Sequence, residues 1–248
     1  MESAFTQSAY QVRFDWEAQG AAAITDGVDV VVVVDVLSFG TAVDCALAAG
    51  VEVFPYSGDD AAGYAASRDA VLAPQLHSRD EPSLSAAGFT GEHAGKRIVL
   101  PSPNGSRLCF ELAGGRAEVV VASLRNRRAI AEWVLERQAD KGGRFRVAVV
   151  AAGERWPDGA PRFAVEDLLG AGAVIESLID VGLDHCSPEA AAAGAAFAGM
   201  KQAVRHLLKA SGSGRELVEA GCADDVALAT ELDVSSQVPV LREWRFRP

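Results

Sequence analysis

Five consecutive valines, Val30–Val34, lie between Asp29 and Asp35 and constrain the fold more than any other stretch of the sequence. Valine is β-branched and favours strands, and the run places no polar residue on either face. A strand with two apolar faces is typical of a parallel sheet that carries helices on both sides. The run therefore predicts a strand that is buried on both of its faces.

Strand-like and helix-like segments alternate along the following part of the chain. A polar turn at residues 35–40 leads into a helix at 41–49, which Thr41 caps and Gly50 ends. Further strands are predicted at residues 51–56, 70–72, 97–100, 119–122 and 145–151, with helices at 107–112, at 127–139 and from about 164. This alternation predicts an α/β fold, a three-layer α/β/α arrangement with a largely parallel, mixed sheet, in a single domain over residues 1–248.

The pattern changes after residue 181. Residues 187–208 form an Ala-rich helical stretch, and the Ser-Gly-Ser-Gly sequence at 211–214 predicts a flexible break. Residues 215–232 supply one or two more helices, and the loose alternation at 241–247 suits an edge strand.

Each strand-to-helix loop of a parallel sheet emerges at the same edge. The polar loops after residues 34, 100, 122 and 151 are therefore expected to meet in one crevice, which is the usual ligand site of open α/β folds. This convergence is the main structural prediction from the sequence.

Composition limits the partners of the protein. Its formal net charge of -11 repels nucleic acids and acidic membrane surfaces, and its apolar runs are far shorter than the roughly 20 residues that span a membrane. The N-terminus lacks the features of a secretory signal, so a cytoplasmic location is expected. The four cysteines are too scattered for a disulfide framework or a zinc site. An anionic ligand would need arginines, backbone N–H groups or a cation close to it to overcome the net negative charge. A homodimer is expected from base rates alone.

Asp35 ends the valine strand, so its carboxylate would be held rigidly at the carboxyl edge of the sheet. Aspartates at such positions serve as metal ligands, nucleophiles or ribose binders. A purely structural explanation is equally available, since Asp also caps the turn after a strand.

Two loops suit the binding of an oxyanion. Asn104, Gly105 and Ser106 stand at the start of a helix, where free N–H groups and the helix dipole attract negative charge. Ser123 and Asn126 repeat this arrangement beside two arginines. Turn formation and helix capping explain the same residues without a ligand.

The densest group of charged residues flanks the strand at 145–151 and the helix after it. It contains Glu154, Arg155, Arg162, Glu166 and Asp167. Acidic residues in a first helical turn are favoured by the dipole, but carboxylates are also the protein ligands that Mg²⁺ uses.

In order, these segments resemble the 2-phosphosulfolactate phosphatase family. The resemblance covers most of residues 28–239 and rests on the succession of its motifs. These are Val32-Val-Val-Asp35-Val-Leu37 with Thr41, Pro103-Asn-Gly-Ser106, Ala122-Ser-Leu-Arg-Asn126, Ala151-Ala-Gly-Glu154, the stretch from Phe163 through Glu166-Asp167 to Ala173, Gly214-Arg-Glu-Leu217, Asp225-Val226 and Val238-Pro239. The resemblance implies an α/β enzyme, a Mg²⁺-dependent phosphomonoesterase that acts on phosphosulfolactate on a route to sulfonate coenzymes.

The chain departs from the family pattern in three places. Ser38 stands where the family usually has Arg or a similar group after Asp-Val-Leu. The family's Gly-Glu-Arg-Gly segment and its Gly-Asn-Ser-Pro turn correspond here to residues 73–79 and 83–87. Arg79 is the candidate to replace the missing positive charge.

The resulting hypothesis assigns a role to each candidate residue. Asp35 with one or both of Glu166 and Asp167 holds Mg²⁺, and Glu154 positions or deprotonates water. Arg155 or Arg162 neutralises the second anionic group of the substrate. The remaining substrate-binding candidates are Ser38, Thr41, Asn104, Gly105, Ser106, Ser123 and Asn126.

Three alternatives stay open. Asp35 could attack phosphorus directly as a covalent nucleophile, the chain could be a diverged anion-binding protein without activity, or it could hydrolyse a non-sulfonated hydroxy-acid phosphate.

Overall fold

The computed structural model describes residues 4–74 and 82–248, and its strands and helices alternate through most of this length. The strands are β1 (Val12–Trp16), β2 (Val30–Val34), β3 (Glu52–Tyr56), β4 (Val71–Leu72), β5 (Arg97–Pro101), β6 (Glu118–Ala122), β7 (Val147–Ala151), β8 (Glu154–Arg155), β9 (Pro161–Arg162) and β10 (Val240–Leu241). The helices are α1 (Glu17–Ile24), α2 (Phe39–Ala48), α3 (Ala61–Ser67), α4 (Gly105–Leu112), α5 (Arg127–Lys141), α6 (Val165–Asp180), α7 (Pro188–Met200), α8 (Val204–Ala210), α9 (Gly212–Glu219) and α10 (Ala223–Ala229).

The larger sheet has five strands in the order β1-β7-β2-β6-β10. The first four strands are parallel, and β10 pairs antiparallel with β6 at the edge. The valine strand β2 lies in the middle, between β7 and β6, and every one of its residues is buried. The prediction of an α/β fold with a largely parallel, mixed sheet is confirmed.

Both faces of this sheet are covered. Val30, Val32 and Val34 belong to a core formed with α5, α6 and α7, whereas Val31 and Val33 belong to a core formed with α1, α2 and α4. Successive side chains of a strand point to opposite faces, so an unbroken valine run supplies both cores at once.

The strands expected to form one sheet are divided between two. A second sheet of three parallel strands has the order β3-β5-β4, and β8 and β9 form a separate two-stranded hairpin. The C-terminal segment joins the two larger sheets. Its strand β10 extends the five-stranded sheet, while the N–H and carbonyl of Phe246 pair with Val53 in β3. The long edge strand expected at 241–247 is therefore reduced to two residues.

Two local predictions are wrong, and two elements were missed. Helix α2 begins at Phe39, so Thr41 lies inside the helix and donates its hydroxyl to Val36 O at 2.8 Å. The stretch at 211–214 is not a flexible break, because Ser211 caps α9 by accepting a hydrogen bond from Gly214 N. Strand β1 and helix α1 were not anticipated.

None of the helices in the described ranges combines the length and the apolar character needed to span a membrane.

Candidate active site

A cleft of about 320 Å³ opens at the carboxyl ends of β2, β5 and β7. Helix α9 forms its opposite wall. The lining residues are Asp35, Leu37, Ser38, Leu84, Ser102, Pro103, Asn104, Glu154, Ser213, Glu216, Leu217 and Ala220. Three of the four loops expected at one crevice therefore meet there, although β5 belongs to the second sheet.

Asp35 lies at the floor of the cleft, where two helices begin. Its side chain is almost wholly buried; Oδ1 accepts a hydrogen bond from Phe39 N at 3.2 Å and Oδ2 accepts one from Gly105 N at 2.8 Å. These residues open α2 and α4, so both positive helix ends face the carboxylate. A Cβ at Gly105 would lie 2.5 Å from Asp35 Oδ2, so this approach requires glycine.

Asp167 ties two cleft loops together. Its Oδ1 accepts a hydrogen bond from Val36 N at 2.8 Å, and its Oδ2 accepts one from Gly153 N at 2.9 Å. These two backbone N–H groups follow β2 and β7. Because both carboxylate oxygens are occupied by the backbone, the position of Asp167 suits a brace between the loops.

Glu166 differs from its neighbour in having an unpartnered oxygen. The residue is buried, and its Oε1 accepts no hydrogen bond from the described part of the chain. An unpaired buried carboxylate oxygen is costly, so such an atom indicates a missing partner such as a cation.

Glu154 follows β7 and is fixed from the side of β5. Its Oε2 accepts hydrogen bonds from Asn104 Nδ2 at 3.0 Å and from Arg155 N at 3.3 Å. The loop after β5 therefore contacts two carboxylates: Asn104 orients Glu154, and Gly105 N binds Asp35.

The carboxyl groups of the site share an unfavourable environment. Burial, followed by the charge of Glu154, raises the pKa of Asp35 to about 7. Burial and the charge of Asp35 hold the pKa of Asp167 well above its ordinary value, and burial also raises the pKa of Glu154. A bound cation would relieve this repulsion and favour the ionised forms.

The metal-free protein is expected to lose stability as the pH rises from about 4 to about 7. Between the ordinary pKa of 3.8 and the raised value near 7, folded Asp35 retains a proton that the unfolded chain releases. Raising the pH across this window therefore favours unfolding, by up to about 4 kcal/mol. Urea unfolding in EDTA at about pH 4 and about pH 8 measures the change. Asp35→Asn should show a weaker loss, and an identical pH dependence in both proteins would refute the raised pKa of Asp35.

A divalent metal must be judged against these donors. In residues 4–74 and 82–248, no three His, Cys, Asp or Glu side chains are grouped so that they could hold a metal by themselves. Mg²⁺ commonly takes one or two protein carboxylates and completes its shell with water and substrate phosphate. The unpartnered Glu166 Oε1 and the buried Asp35 fit such an open site.

The two candidate arginines have different surroundings. Arg155 Nη2 donates to Glu17 Oε2 at 2.5 Å, and Nη1 donates to Gly159 O at 2.9 Å. Arg162 Nη2 lies 3.9 Å from Glu154 Oε2 and 3.7 Å from Glu216 Oε2. Arg162 thus lies against two residues that line the cleft, whereas Arg155 is engaged on the side of α1.

Four other predicted binding residues are bonded inside the protein. Ser123 N donates to Asn126 Oδ1 at 2.8 Å, and Asn126 Nδ2 donates to Val121 O and Gln237 O. Ser106 Oγ accepts a hydrogen bond from Tyr56 N at 2.8 Å and so joins α4 to β3. Together with Thr41, these side chains are buried.

The arginines beside the 123–126 loop are also engaged within the fold. Arg125 pairs with the buried Asp44 at 2.8 Å and with Glu231, and Arg127 pairs with Glu176 at 2.6 Å and Asp233 at 2.9 Å. The loop after β6, which is the one of the four that does not line the cleft, thus joins α2, α6 and the segment after α10.

Sequence reasoning missed the wall of the cleft that α9 forms, with Ser213, Glu216 and Leu217. One signal was present, since residues 214–217 belong to the stretches shared with the family. Ser38 lines the cleft as expected. Arg79 lies outside the described residues.

Comparisons with known proteins agree with these features. A family model described as 2-phosphosulpholactate phosphatase matches residues 18–244. The chain is 27% identical over 223 residues to the 2-phosphosulfolactate phosphatase of Methanothermobacter thermautotrophicus, with 89% of this chain and 90% of that protein aligned. It is 28% identical to a probable 2-phosphosulfolactate phosphatase of Thermus thermophilus, with 86% and 88% aligned.

Other matches are shorter. A probable 2-phosphosulfolactate phosphatase of Deinococcus radiodurans is 29% identical over 151 residues, which are 61% of this chain and 58% of that protein. The chain thus spans less than two thirds of the length of that relative.

Proposed function

The chain belongs to the 2-phosphosulfolactate phosphatase family, and from this premise we propose that it is a Mg²⁺-dependent phosphomonoesterase. The proposed substrate is 2-phosphosulfolactate or a related small phosphorylated hydroxy acid, and the products are the hydroxy acid and phosphate. The observation that carries the proposal is a pair of buried carboxylates: Asp35, which lines the cleft, and Glu166, whose charge acts on Asp35 and whose Oε1 has no partner in the described residues. Such a pair is unfavourable in a metal-free protein and suits a site that binds a cation and a phosphate together.

Asp35 and Glu166 are the residues that would hold the metal. When bound, Mg²⁺ supplies charge that polarises the phosphoryl group and offsets the negative charge of the transition state. Asp167 keeps the loops after β2 and β7 at a fixed separation through Val36 N and Gly153 N. Asp167 does not line the cleft as Asp35 does, and it has no unpartnered oxygen as Glu166 has, so we assign it a positioning role and leave coordination to Asp35 and Glu166.

Glu154 is the proposed general base that holds and deprotonates the attacking water. Asn104 fixes Oε2 of this carboxylate, and burial raises its pKa, so that it accepts a proton more readily than an exposed glutamate would. As a water held by Glu154 attacks phosphorus, its proton passes to the carboxylate and the P–O bond of the ester breaks. The leaving oxygen of the hydroxy acid takes up a proton from solvent, and the other product is phosphate. Ser38, which lines the cleft together with Asp35, is the proposed side-chain donor to a phosphate oxygen.

Ser106, Ser123, Asn126 and Thr41 are left out of the proposed site because their polar groups bond within the protein. The cytoplasmic location, a single domain, the homodimer and the absence of nucleic-acid partners stay predictions.

The experiment that tests this function is phosphate release from a panel of esters. The panel contains 2-phosphosulfolactate, 2-phospholactate and glycerol 2-phosphate, each assayed with Mg²⁺, Mn²⁺, Co²⁺ or EDTA. Hydrolysis of the first two esters that EDTA abolishes supports the proposal. Binding of the esters without phosphate release under any of these conditions would instead identify a non-catalytic anion-binding protein.

Glu166→Gln is expected to raise the Mg²⁺ concentration needed for half-maximal activity by about 100-fold, because a charged ligand is replaced by a neutral one. Titration of activity against Mg²⁺ concentration measures this. The matched control is Glu189→Gln, which removes an exposed acid from the first turn of α7. Equal Mg²⁺ dependence in the two variants would exclude Glu166 as a ligand.

Asp35 as a covalent nucleophile is tested separately. Both of its oxygens already accept backbone hydrogen bonds, which favours a fixed ligand over an attacking group. Rapid quenching with a ³²P-labelled ester would trap a phosphoaspartate if the covalent route operates. Water attack leaves no labelled protein.

A further inference from the structure

Arg162 has a largely buried guanidinium that makes no hydrogen bond within the described residues. Its side chain is 18% exposed, and its distances to the Glu154 and Glu216 carboxylates, 3.9 and 3.7 Å, are too long for hydrogen bonds. None of its guanidinium N–H groups donates to another residue of the part that the structure describes. A guanidinium carries five donors in a planar fork, so this one retains its capacity to bind an oxyanion.

The neighbours of Arg162 hold its guanidinium beside two residues that line the cleft, Glu154 and Glu216. Its Cζ lies 5.6 Å from the ring centroid of Trp156, within the range of a cation–π contact. On another side, a Cβ at Gly212 would lie 2.9 Å from Nη1, so the absence of a side chain there makes room for the arginine. These contacts orient the group without consuming its donors.

Of the two carboxylates near Arg162, that of Glu216 is the less firmly held. Glu216 projects from α9, lines the cleft, and has a side chain that is 72% exposed. Exposed ion pairs at such distances stabilise little, and a long exposed side chain can rotate away at low cost. Glu154, by contrast, is less exposed and is held by a hydrogen bond from Asn104.

We propose that Arg162 binds the second acidic group of the substrate, a sulfonate or carboxylate, and that Glu216 competes with this group for the guanidinium. The inference rests on the proposed phosphatase function and names the residues that select its substrate. An ester with a second anion displaces Glu216 and gains two charge-assisted hydrogen bonds. An ester without one leaves the Arg162–Glu216 pair in place and gains nothing there.

Arg155 is not an equivalent candidate. Its guanidinium already donates to Glu17 at 2.5 Å and to Gly159 O at 2.9 Å. A substrate would have to break these hydrogen bonds to reach it, whereas Arg162 offers donors that are not yet used.

Calorimetric binding of sulfolactate tests the inference without hydrolysis, because this compound has the carboxylate and the sulfonate but no phosphate. Titrations are made with the protein of residues 1–248 in saturating Mg²⁺ and in EDTA. Arg162→Gln is expected to weaken binding at least about tenfold, and Glu216→Gln to tighten it about threefold, because an anionic competitor is removed. Gly212→Ala keeps every charge and should weaken binding about fivefold by displacing the guanidinium.

Glu219→Gln is the matched control for Glu216→Gln. Glu219 lies on the same helix with the same exposure of 72%, and it pairs with Arg215 and not with a cleft residue. The control should leave sulfolactate binding unchanged. The inference is overturned if wild-type protein binds no sulfolactate, if Arg162→Gln binds it as wild type does, or if Glu216→Gln and Glu219→Gln behave alike.

Two outcomes separate this inference from the proposed function. Sulfolactate binding that depends on Arg162, with no phosphate released from any ester, would preserve the inference and refute the phosphatase proposal. Phosphate release with an unchanged KM for 2-phosphosulfolactate in Arg162→Gln would support the phosphatase proposal and refute the inference.

Discussion

Asp35→Asn is expected to lower kcat for Mg²⁺-dependent phosphate release by about 1000-fold, which corresponds to a loss of about 4 kcal/mol in transition-state stabilisation. The substitution removes the negative charge that would hold the metal at the floor of the cleft. It also disturbs the local hydrogen bonds, because Asp35 accepts one N–H on each oxygen. The Nδ2 of asparagine would face one of these donors and could not accept from it.

The measurement is steady-state hydrolysis of 2-phosphosulfolactate at saturating Mg²⁺, with circular dichroism to confirm that the variant is folded. Asp29→Asn is the matched control, since Asp29 lies at the other end of the same strand and pairs with Lys141 at 2.6 Å on the surface. Its kcat should be that of the parent. Hydrolysis by Asp35→Asn at the parental rate would end the assignment of this cleft as the active site.

The central strands could be predicted because their signal is local. A valine run such as β2 has apolar residues on both faces, which predicts that both faces are buried. The glycines and polar residues after it predict the turn. The loops at its carboxyl end then follow from the geometry of parallel sheets. Asp35, Asn104 and Glu154 were placed at one edge by this reasoning alone, and they do line one cleft.

Strand β1 was overlooked although Val12, Phe14 and Trp16 alternate with Arg13 and Asp15, which is the period-2 pattern of a half-buried strand. That pattern would place Arg13 in solvent, and the structure does not. This arginine is only 2% exposed and donates to backbone carbonyls that include Ile24 O at 2.8 Å. A buried arginine of this kind is stabilised by groups distant in sequence, so no local pattern identifies it.

The division of labour between Glu166 and Asp167 could not be predicted either. The two residues are adjacent in sequence and both are favoured at the start of a helix. Only the fold shows that Val36 N and Gly153 N occupy Asp167 while Glu166 Oε1 has no partner in the described ranges. Ser123 and Asn126 show the opposite case, in which a plausible anion loop is closed by its own Ser123–Asn126 hydrogen bond.

Helices α6 and α7 pack so closely that a single methyl group should separate them. Gly172 lies within α6, and a Cβ there would collide with the carbonyl oxygen of Ala193 and lie 2.9 Å from Phe197 Cβ. The obstacle is backbone, so the helices must move apart and lose contacts in the core that covers one face of the large sheet. Because α6 carries Glu166 and Asp167 in its first turn, its position also determines where those carboxylates lie.

Gly172→Ala is therefore expected to lower the free energy of unfolding by about 3 kcal/mol, even though alanine favours helix over glycine by about 1 kcal/mol. Gly199→Ala in α7 is the matched control, because it is the same substitution in the partner helix and a Cβ there meets nothing within 4 Å. The control should gain up to about 1 kcal/mol from helix propensity alone. Urea unfolding of both variants in EDTA measures the difference. If Gly172→Ala proves as stable as Gly199→Ala, the two helices can separate freely, and their packing cannot be what fixes the start of α6 beside Asp35.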